Sequence, residues 1–312
     1  MASQVSPGVV IRERDLSTGV ITGVSALRGA IASTFTKGPV GKIVNIGSEK
    51  ELIDTFGAPA EANASDWLVA SEFLRYGGQL AVVRATTGVL NATKDGSAVL
   101  VGSKEDYEAG AGSSEKFIAR TAGADGNNLH VVIVDRGPDF TIVKSGHGLS
   151  VGGTYTDNAA VGHEVVEVVD ANTFRIIQGT AAPTPAAGDT ATVFSNSDWN
   201  ATAIGSTGLT YKEVGPRPGT SAFASERYVS YDEVHVAVVD TSSNTIVERM
   251  TYLSKISDAK SPEGSSIYWK DYVNEFSGYI FAGALTSAEF TTLGSDPGAA
   301  VASYGATAAA PI

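Results

Sequence analysis

The sequence has 312 residues, 43% of them hydrophobic, which is long enough for two domains or for one domain that carries an insertion. Its formal net charge of −12 argues against a nucleic-acid surface, because affinity for phosphates depends on clustered Lys and Arg. The lack of cysteine excludes disulfides and thiolate sites, and the lack of a secretory leader or of a long apolar stretch predicts a chain made in the cytoplasm with no membrane segment.

The first 27 residues show β-prone runs but no helical period. One run, Val9–Ile11, directly follows Ser6-Pro7-Gly8, and a second lies at Val20–Ile21. Short apolar runs of β-branched residues next to turn residues are typical of extended chain. We therefore predict that residues 1–27 form an extended N-terminal arm.

Residues 28–136 are predicted to form the first part of an α/β domain. A strand that ends near Phe35 leads into a turn at Gly38-Pro39, and a second strand is predicted at Ile43–Ile46. A helix follows from Ser48 to Thr55, where Ser48 and Glu51 form the signature of a capping box.

A second helix is predicted from Asp66 to the turn at Gly77-Gly78. Its apolar spacing predicts that Trp67, Phe73 and Tyr76 pack into a core. The continuous apolar run Leu80–Ala85 then predicts a buried strand.

The rest of the chain divides into three further segments. Residues 137–205 are rich in Gly, Thr and Ala with short alternating runs, which predicts a small all-β module inserted on the outer surface. Residues 206–290 return to α/β patterns and form the second part of the domain, and residues 291–312 look like a flexible linker or a truncated end. The predicted fold class is mixed α/β.

Candidate chemistry is sparse. The histidines show no spacing that places two imidazoles on one face: they are His130, His147, His163 and His235. His147 and His163 flank the predicted β-module and offer the one pair that a metal site would use, although a structural role is the stronger interpretation. No Walker loop, Gly-x-Ser-x-Gly elbow or assignable carboxylate pair is present, so no catalytic, metal or cofactor-binding residue is predicted and the protein is not expected to be an enzyme.

The order of the motifs is informative. The segments SPGVVIRERDLS, TGVSALRGAIASTFTKGPVGKIVNIGSEKELIDTFG and SDWLVASEFLRYGGQLAVVRA follow one another, and AGADGNNLHVVIVD comes later. Across about residues 5–285 this order resembles the N-terminal portion of myovirus tail sheath proteins, with similarity to the sheaths of large cyanobacterial myoviruses. The match is weakest over residues 137–205.

The resemblance implies a structural subunit of the virion. Sheath subunits stack as hexameric rings around the tail tube and contract to drive the tube into the host. It also implies a C-terminal domain, absent from this chain, that contacts the tube protein. Other sheath subunits are the expected partners, without direct nucleic acid or membrane contact. The alternative function is a tail-fibre or surface adhesin that binds host glycans.

The same resemblance assigns the arm a role between subunits. An extended arm adds as a strand to the sheet of a neighbouring subunit through backbone hydrogen bonds. The predicted intersubunit residues are Ser6, Pro7, Gly8, Val9, Val10, Ile11, Arg12 and Glu13. The alternative is that they form an ordinary strand of the chain's own sheet.

Overall fold

A computed structural model describes residues 27–93, 99–135, 137–204 and 207–283. Among them, strands outnumber helices and form a mixed α/β fold of four sheets. The strands are β1 (Arg28–Ser33), β2 (Ile43–Ile46), β3 (Gln79–Arg84), β4 (Asn91–Thr93), β5 (Phe117–Ala122), β6 (Leu129–Val134), β7 (Phe140–Val143), β8 (Thr154–Thr156), β9 (Gly162–Asp170), β10 (Thr173–Ile177), β11 (Thr190–Val193), β12 (Glu233–Asp240), β13 (Thr245–Ser254) and β14 (Ile280–Ala282). The helices are α1 (Glu49–Phe56), α2 (Ala64–Arg75), α3 (Lys104–Glu108), α4 (Asn196–Ala201), α5 (Tyr211–Val214), α6 (Ala222–Ser225) and α7 (Trp269–Phe276), with a 3₁₀ turn at Ala124–Asn128.

The first sheet has the order β1-β3-β2, with β1 parallel and β2 antiparallel to the central strand. Helices α1 and α2 cover one face and bury a core that includes Phe56, Trp67 and Leu80. The α1 start differs from an ideal capping box: the Ser48 hydroxyl accepts from the Glu51 N–H, but the Glu51 carboxylate accepts from the Gly47 N–H instead of from Ser48. The Glu51 carboxylate therefore fixes the chain one residue before the N-cap Ser48.

The largest core surrounds the sheet β13-β12-β6. Alternate residues of β6 and β12 pack on opposite faces, so that Val131 and Val236 meet α7 while Val132 and Val239 meet α4 and α5. A central strand buried on both faces explains why its sequence is a continuous apolar run instead of an alternating one. A small sheet, β14-β5-β4, lies beside this core and contributes Phe117 to it.

The fourth sheet uses only residues 140–193 and has the order β11-β7-β10-β9-β8, antiparallel throughout. Its own core is formed by Ile142, Tyr155, Val165, Phe174 and Ile176. Strands β7 and β11, the first and last of these strands along the chain, pair with each other, with Phe140 opposite Val193. The division of the whole chain into domains remains a prediction.

The structure corrects the sequence analysis in the second helix. Helix α2 begins at Ala64, two residues before the predicted start at Asp66. Trp67 is buried and Phe73 is half-buried, as predicted, but the prediction that Tyr76 is a core residue is wrong because its side chain is 79% exposed. Tyr76 is the C-terminal cap of the helix, where the chain turns away from the core toward Gly77.

Candidate assembly surfaces

The predicted intersubunit residues Ser6–Glu13 lie outside the described residues, which begin at Leu27. The structure therefore describes only the segment that follows the predicted arm in sequence. That segment begins with strand β1, which starts one residue after Leu27.

Strand β1 is the edge of its sheet among the described residues. Its odd-numbered backbone groups face β3: the carbonyls of Leu27 and Ser33 accept from the N–H groups of Gln79 and Ala85. In a parallel pair the intervening residues, Arg28, Ala30 and Ala32, then direct their backbone groups to the free side. The part of the chain that the structure describes supplies no strand there, and such an edge is suited to pairing with another strand.

Arg84 connects the first sheet to the rest of the molecule. It is fully buried and donates to four backbone carbonyls, those of Phe35, Thr36, Gly38 and Ala122, at 2.7–3.0 Å. Burial lowers the pKa of the Arg84 guanidinium, although arginine stays charged in proteins. Arg84 thus holds both the turn before Pro39 and the end of β5.

The sequence analysis did not assign a role to Arg84. The signal was present, because Arg84 is the only charged residue in the predicted buried strand Leu80–Ala85. A charged side chain at the end of a strand buried on one face requires internal partners, and backbone carbonyls at a turn are suitable ones.

The exposed side of helix α2 carries apolar side chains. Leu68, Val69 and Tyr76 are all largely solvent-exposed, while Trp67 and Leu74 on the other side are buried. Leu68 and Val69 are neighbours in sequence, and Tyr76 is the C-terminal cap beyond the last helical residue. The exposed side of α2 therefore carries two adjacent apolar side chains next to the ion pair of Glu72 and Arg75, and no continuous apolar stripe.

His163 lies on strand β9 and His147 in the loop between β7 and β8, on opposite sides of an aromatic pair. The His147 ring packs on Phe174, Phe174 packs edge-on against Tyr155, and Tyr155 stacks on His163. The two imidazoles are thus separated by two rings and do not share a ligand position. Among the described residues, no group of three or more His, Asp or Glu side chains is placed to hold a metal ion.

His163 and Asp157 fix the loops at one end of this sheet. The His163 Nδ1 accepts from the Gly179 N–H, and its Nε2 lies 3.4 Å from the Asp157 carboxylate. Asp157 also accepts from the backbone N–H groups of Thr184, Ala159 and Val161, and these bonds lower its pKa. This arrangement holds two loops together and leaves no open position for a substrate.

His235 is a buried structural residue at the start of β12. Its Nε2 donates to the Pro216 carbonyl at 2.6 Å, and its Nδ1 accepts from the Tyr252 N–H at 3.0 Å. Burial lowers its pKa, so that the neutral ring is favoured. His130 is half-buried on β6, and burial lowers its pKa as well.

No helix within the described ranges is long and apolar enough to cross a membrane.

A comparison with protein families matches residues 28–85 to the N-terminal region of domain III of the tail sheath protein Gp18. In the structure this range is the sheet β1-β3-β2 together with helices α1 and α2. The matched segment ends one residue after Arg84, so the family model includes the turn that Arg84 holds.

Curated tail sheath proteins are similar to the chain. The protein of Salmonella phage ViI is 26% identical over 92% of this chain and 51% of its own length. The protein of Enterobacteria phage T4 is 36% identical over 26% of this chain and 12% of its own length. The protein of Vibrio phage KVP40 is 33% identical over 28% of this chain and 13% of its own length. The chain thus spans about half the length of the first of these relatives.

Among solved structures, the sheath tail protein of Desulfitobacterium hafniense matches 57% of this chain and 40% of its own, at 17% identity and a TM-score of 0.23. The sheath tail protein Lin1278 of Listeria innocua matches 56% of this chain and 36% of its own, at 15% identity and a TM-score of 0.23.

The relatives define a class of structural virion proteins that are not enzymes. Within that class, the resemblance predicted from the motifs is confirmed: the chain is similar to the tail sheath proteins of several phages.

Proposed function

We propose that this protein is a structural subunit of a contractile phage tail sheath. The observation that carries the proposal is the similarity to a curated tail sheath protein over 92% of the chain, with the family model matching residues 28–85. In this role, copies stack as rings around the tail tube, and contraction of the stack drives the tube into the host for genome delivery.

The arm residues Ser6–Glu13 join neighbouring subunits in this proposal. The run Val9–Ile11 has the alternating backbone groups that strand addition requires, and a strand of about six residues makes on the order of four hydrogen bonds worth about 1 kcal/mol net each. Such a link survives while the bodies of the subunits rotate. Support comes from the family resemblance, since these residues lie outside the described part of the chain.

Residues 137–205 are proposed to face the outside of the sheath. The five-stranded sheet in this segment has its own core and joins the chain at the strand pair β7 and β11. A unit with its own core needs little support from the body and is tolerated where it meets solvent. Contact with the tube protein is assigned to a C-terminal domain, which the family resemblance implies.

Immunogold electron microscopy of virions with an antibody against residues 137–205 tests the proposal. Label along the whole tail, which shortens with contraction, is the expected result and also places this segment outside. Label confined to fibres or to the tail tip would support the alternative, an adhesin that binds host glycans, and would contradict a sheath role.

A further inference from the structure

The loop between helix α6 and strand β12 forms an exposed projection. Residues 225–231 are exposed without interruption, and Tyr228 at its tip is 99% exposed. Among the described residues, no other large hydrophobic side chain is as exposed as Tyr228. We call residues 226–229 the tyrosine knob. It places an aromatic ring in solvent, where the ring gains no packing within this chain.

The backbone of Tyr228 makes this exposure more informative. The Tyr228 N–H donates to the Ser225 carbonyl and the Val229 N–H donates to the Ala224 carbonyl, which is the pattern of a Schellman motif. Tyr228 occupies its left-handed position with φ +58°, where glycine is the usual residue because side chains are strained there. The chain keeps a strained tyrosine that its own fold does not use, and such strain is typical of functional positions.

The knob is held rigidly at its base. Asp232, which is buried, accepts from the Ser221 N–H, the Ser221 hydroxyl and the Ser254 hydroxyl at 2.5–2.8 Å. The Arg227 guanidinium lies 3.5 Å above the Phe223 ring and donates to the Phe223 carbonyl. These contacts fix the backbone at the base of the knob, which limits the conformational entropy that the loop loses when a partner covers it.

A groove of about 470 Å³ lies beyond the other end of strand β12. Three carboxylates, from Asp54, Asp125 and Asp240, line it together with the ammonium group of Lys37. The phenol hydroxyl of a tyrosine is a hydrogen-bond donor, and carboxylates are strong acceptors for it. Three aspartates and one lysine give the groove a negative formal charge, which favours the Arg227 guanidinium of the knob and opposes the neighbouring Glu226 carboxylate.

We propose that the tyrosine knob of one copy docks into this groove on a second copy, an inference that rests on the proposed sheath function. The knob leads into Glu233 and the groove contains Asp240, so the two lie about 23 Å apart along β12. Knob and groove on one molecule cannot meet each other at that distance along a rigid strand. A contact between different patches is heterologous, and such a contact builds a ring when its rotation closes and an open helical array when it does not.

Chemical cross-linking tests the contact directly, because the chain has no cysteine and only introduced thiols react. The full chain with Tyr228→Cys is mixed with the full chain with Asn128→Cys, whose side chain lines the groove, and treated with a short bis-maleimide. We expect a cross-linked pair in this mixture at several-fold higher yield than in a mixture with Tyr76→Cys. Tyr76 is an exposed tyrosine elsewhere and serves as the matched control. An excess of unmodified chain should suppress the product, and thermal unfolding verifies that each variant is folded.

Equal yields from the Tyr228 and Tyr76 variants, or no mixed product from folded proteins, would overturn the docking contact. This result is separable from failure of the sheath role. Antibody labelling of the tail without the cross-link would mean that the protein is a sheath subunit whose contacts lie elsewhere. The cross-link without tail labelling would mean that the chain self-associates but is not a sheath subunit.

Discussion

Arg84 shows how a single buried cation organises the first sheet. Its hydrogen-bond partners are neutral carbonyls at sequence separations of 38–49 residues, and no carboxylate in the described part of the chain forms an ion pair with it. A planar guanidinium can donate in several directions at once, which an ammonium group on a flexible stem cannot match. The residue therefore defines the path of a turn through its geometry as well as its charge.

Replacing Arg84 with lysine should destabilise the protein by about 2 kcal/mol or more. Lysine has three donors for four carbonyls, and each buried acceptor that loses its partner costs about 1–3 kcal/mol. Urea denaturation provides the free energy of unfolding. Arg75→Lys on the exposed side of α2 is the control and should change it by less than about 0.5 kcal/mol. Equal effects of the two changes would contradict the role assigned to Arg84.

His235 should make stability depend on pH in the weakly acidic range. Burial lowers its pKa in the folded state, while in the unfolded chain the pKa is about 6.5. The unfolded state therefore binds more protons, and the stabilising contribution is present above pH of about 6.5 and lost as pH falls through the folded pKa. Protonation also removes the acceptor for the Tyr252 N–H.

The free energy of unfolding, measured at several pH values, should fall more steeply below about pH 6.5 in the wild type than in His235→Gln. Glutamine retains a donor and an acceptor but does not titrate. Glu233 lies near the ring and raises the His235 pKa, which opposes the effect of burial. The carboxylates are the same in both proteins, so the difference between the two pH profiles reports on His235. Parallel profiles would show that the ring does not titrate differently on unfolding.

At the scale of secondary structure, the strands of continuous apolar sequence are the best predicted elements. The bounds of β2 agree with those predicted from the sequence, β3 lies one residue earlier than predicted at each end, and α1 begins one residue after its predicted start. Residues 86–128 show no clear hydrophobic period. The elements β4 and α3 in this range are too short to show one, and tertiary contacts stabilise them. Tyr76 followed the apolar spacing of α2 but lies past the last helical residue, where spacing no longer predicts burial.

The turn before Pro39 depends on glycine at one position more than at another. Gly38 has φ +97°, and a Cβ there would lie 2.8 Å from the Thr55 carbonyl oxygen. Gly41 has φ +68° but faces open space. We expect Gly38→Ala to lower the free energy of unfolding by clearly more than the roughly 1 kcal/mol expected for Gly41→Ala. Chemical denaturation of the pair checks this, and a larger loss at Gly41 would disprove the assignment.

The Schellman turn of the tyrosine knob gives the opposite prediction. Tyr228→Gly should raise the free energy of unfolding by up to about 1 kcal/mol, because glycine adopts a positive φ without strain and the exposed ring contributes no packing. Thermal and urea unfolding measure the change, with Tyr76→Gly as a control at an exposed cap of negative φ. A marked loss of stability in Tyr228→Gly would mean that the ring supports the loop.

At the scale of the whole molecule, the candidate site could be predicted only in part. The order of motifs identified the relatives, because each motif marks a turn or a buried strand that the fold requires, such as the Gly-Pro turn and the strand that ends at Arg84. The predicted intersubunit residues Ser6–Glu13 could be named only through the resemblance. Their proposed role depends on the sheet of another copy, and no spacing within one sequence identifies that sheet.

Deletion of residues 1–14 from the complete protein should leave a folded body that no longer forms tubes. The deleted segment precedes β1, whose contacts with β3 do not involve it. Circular dichroism and thermal unfolding report on the body, and negative-stain electron microscopy reports on the tubes. Intact tubes from the deletion variant would refute the role proposed for the arm.

The pairing of β7 with β11 has a consequence for how sequences of this kind diversify. Phe140 and Val193 are opposite each other, so the chain leaves the body and returns to it at adjacent positions. For the body, the 54 residues from Phe140 to Val193 are equivalent to a closed loop, and the entropy of loop closure rises only slowly with loop length. The segment can be exchanged, enlarged or excised as a cassette without moving the strands on either side, which makes it a natural position for grafting a foreign domain.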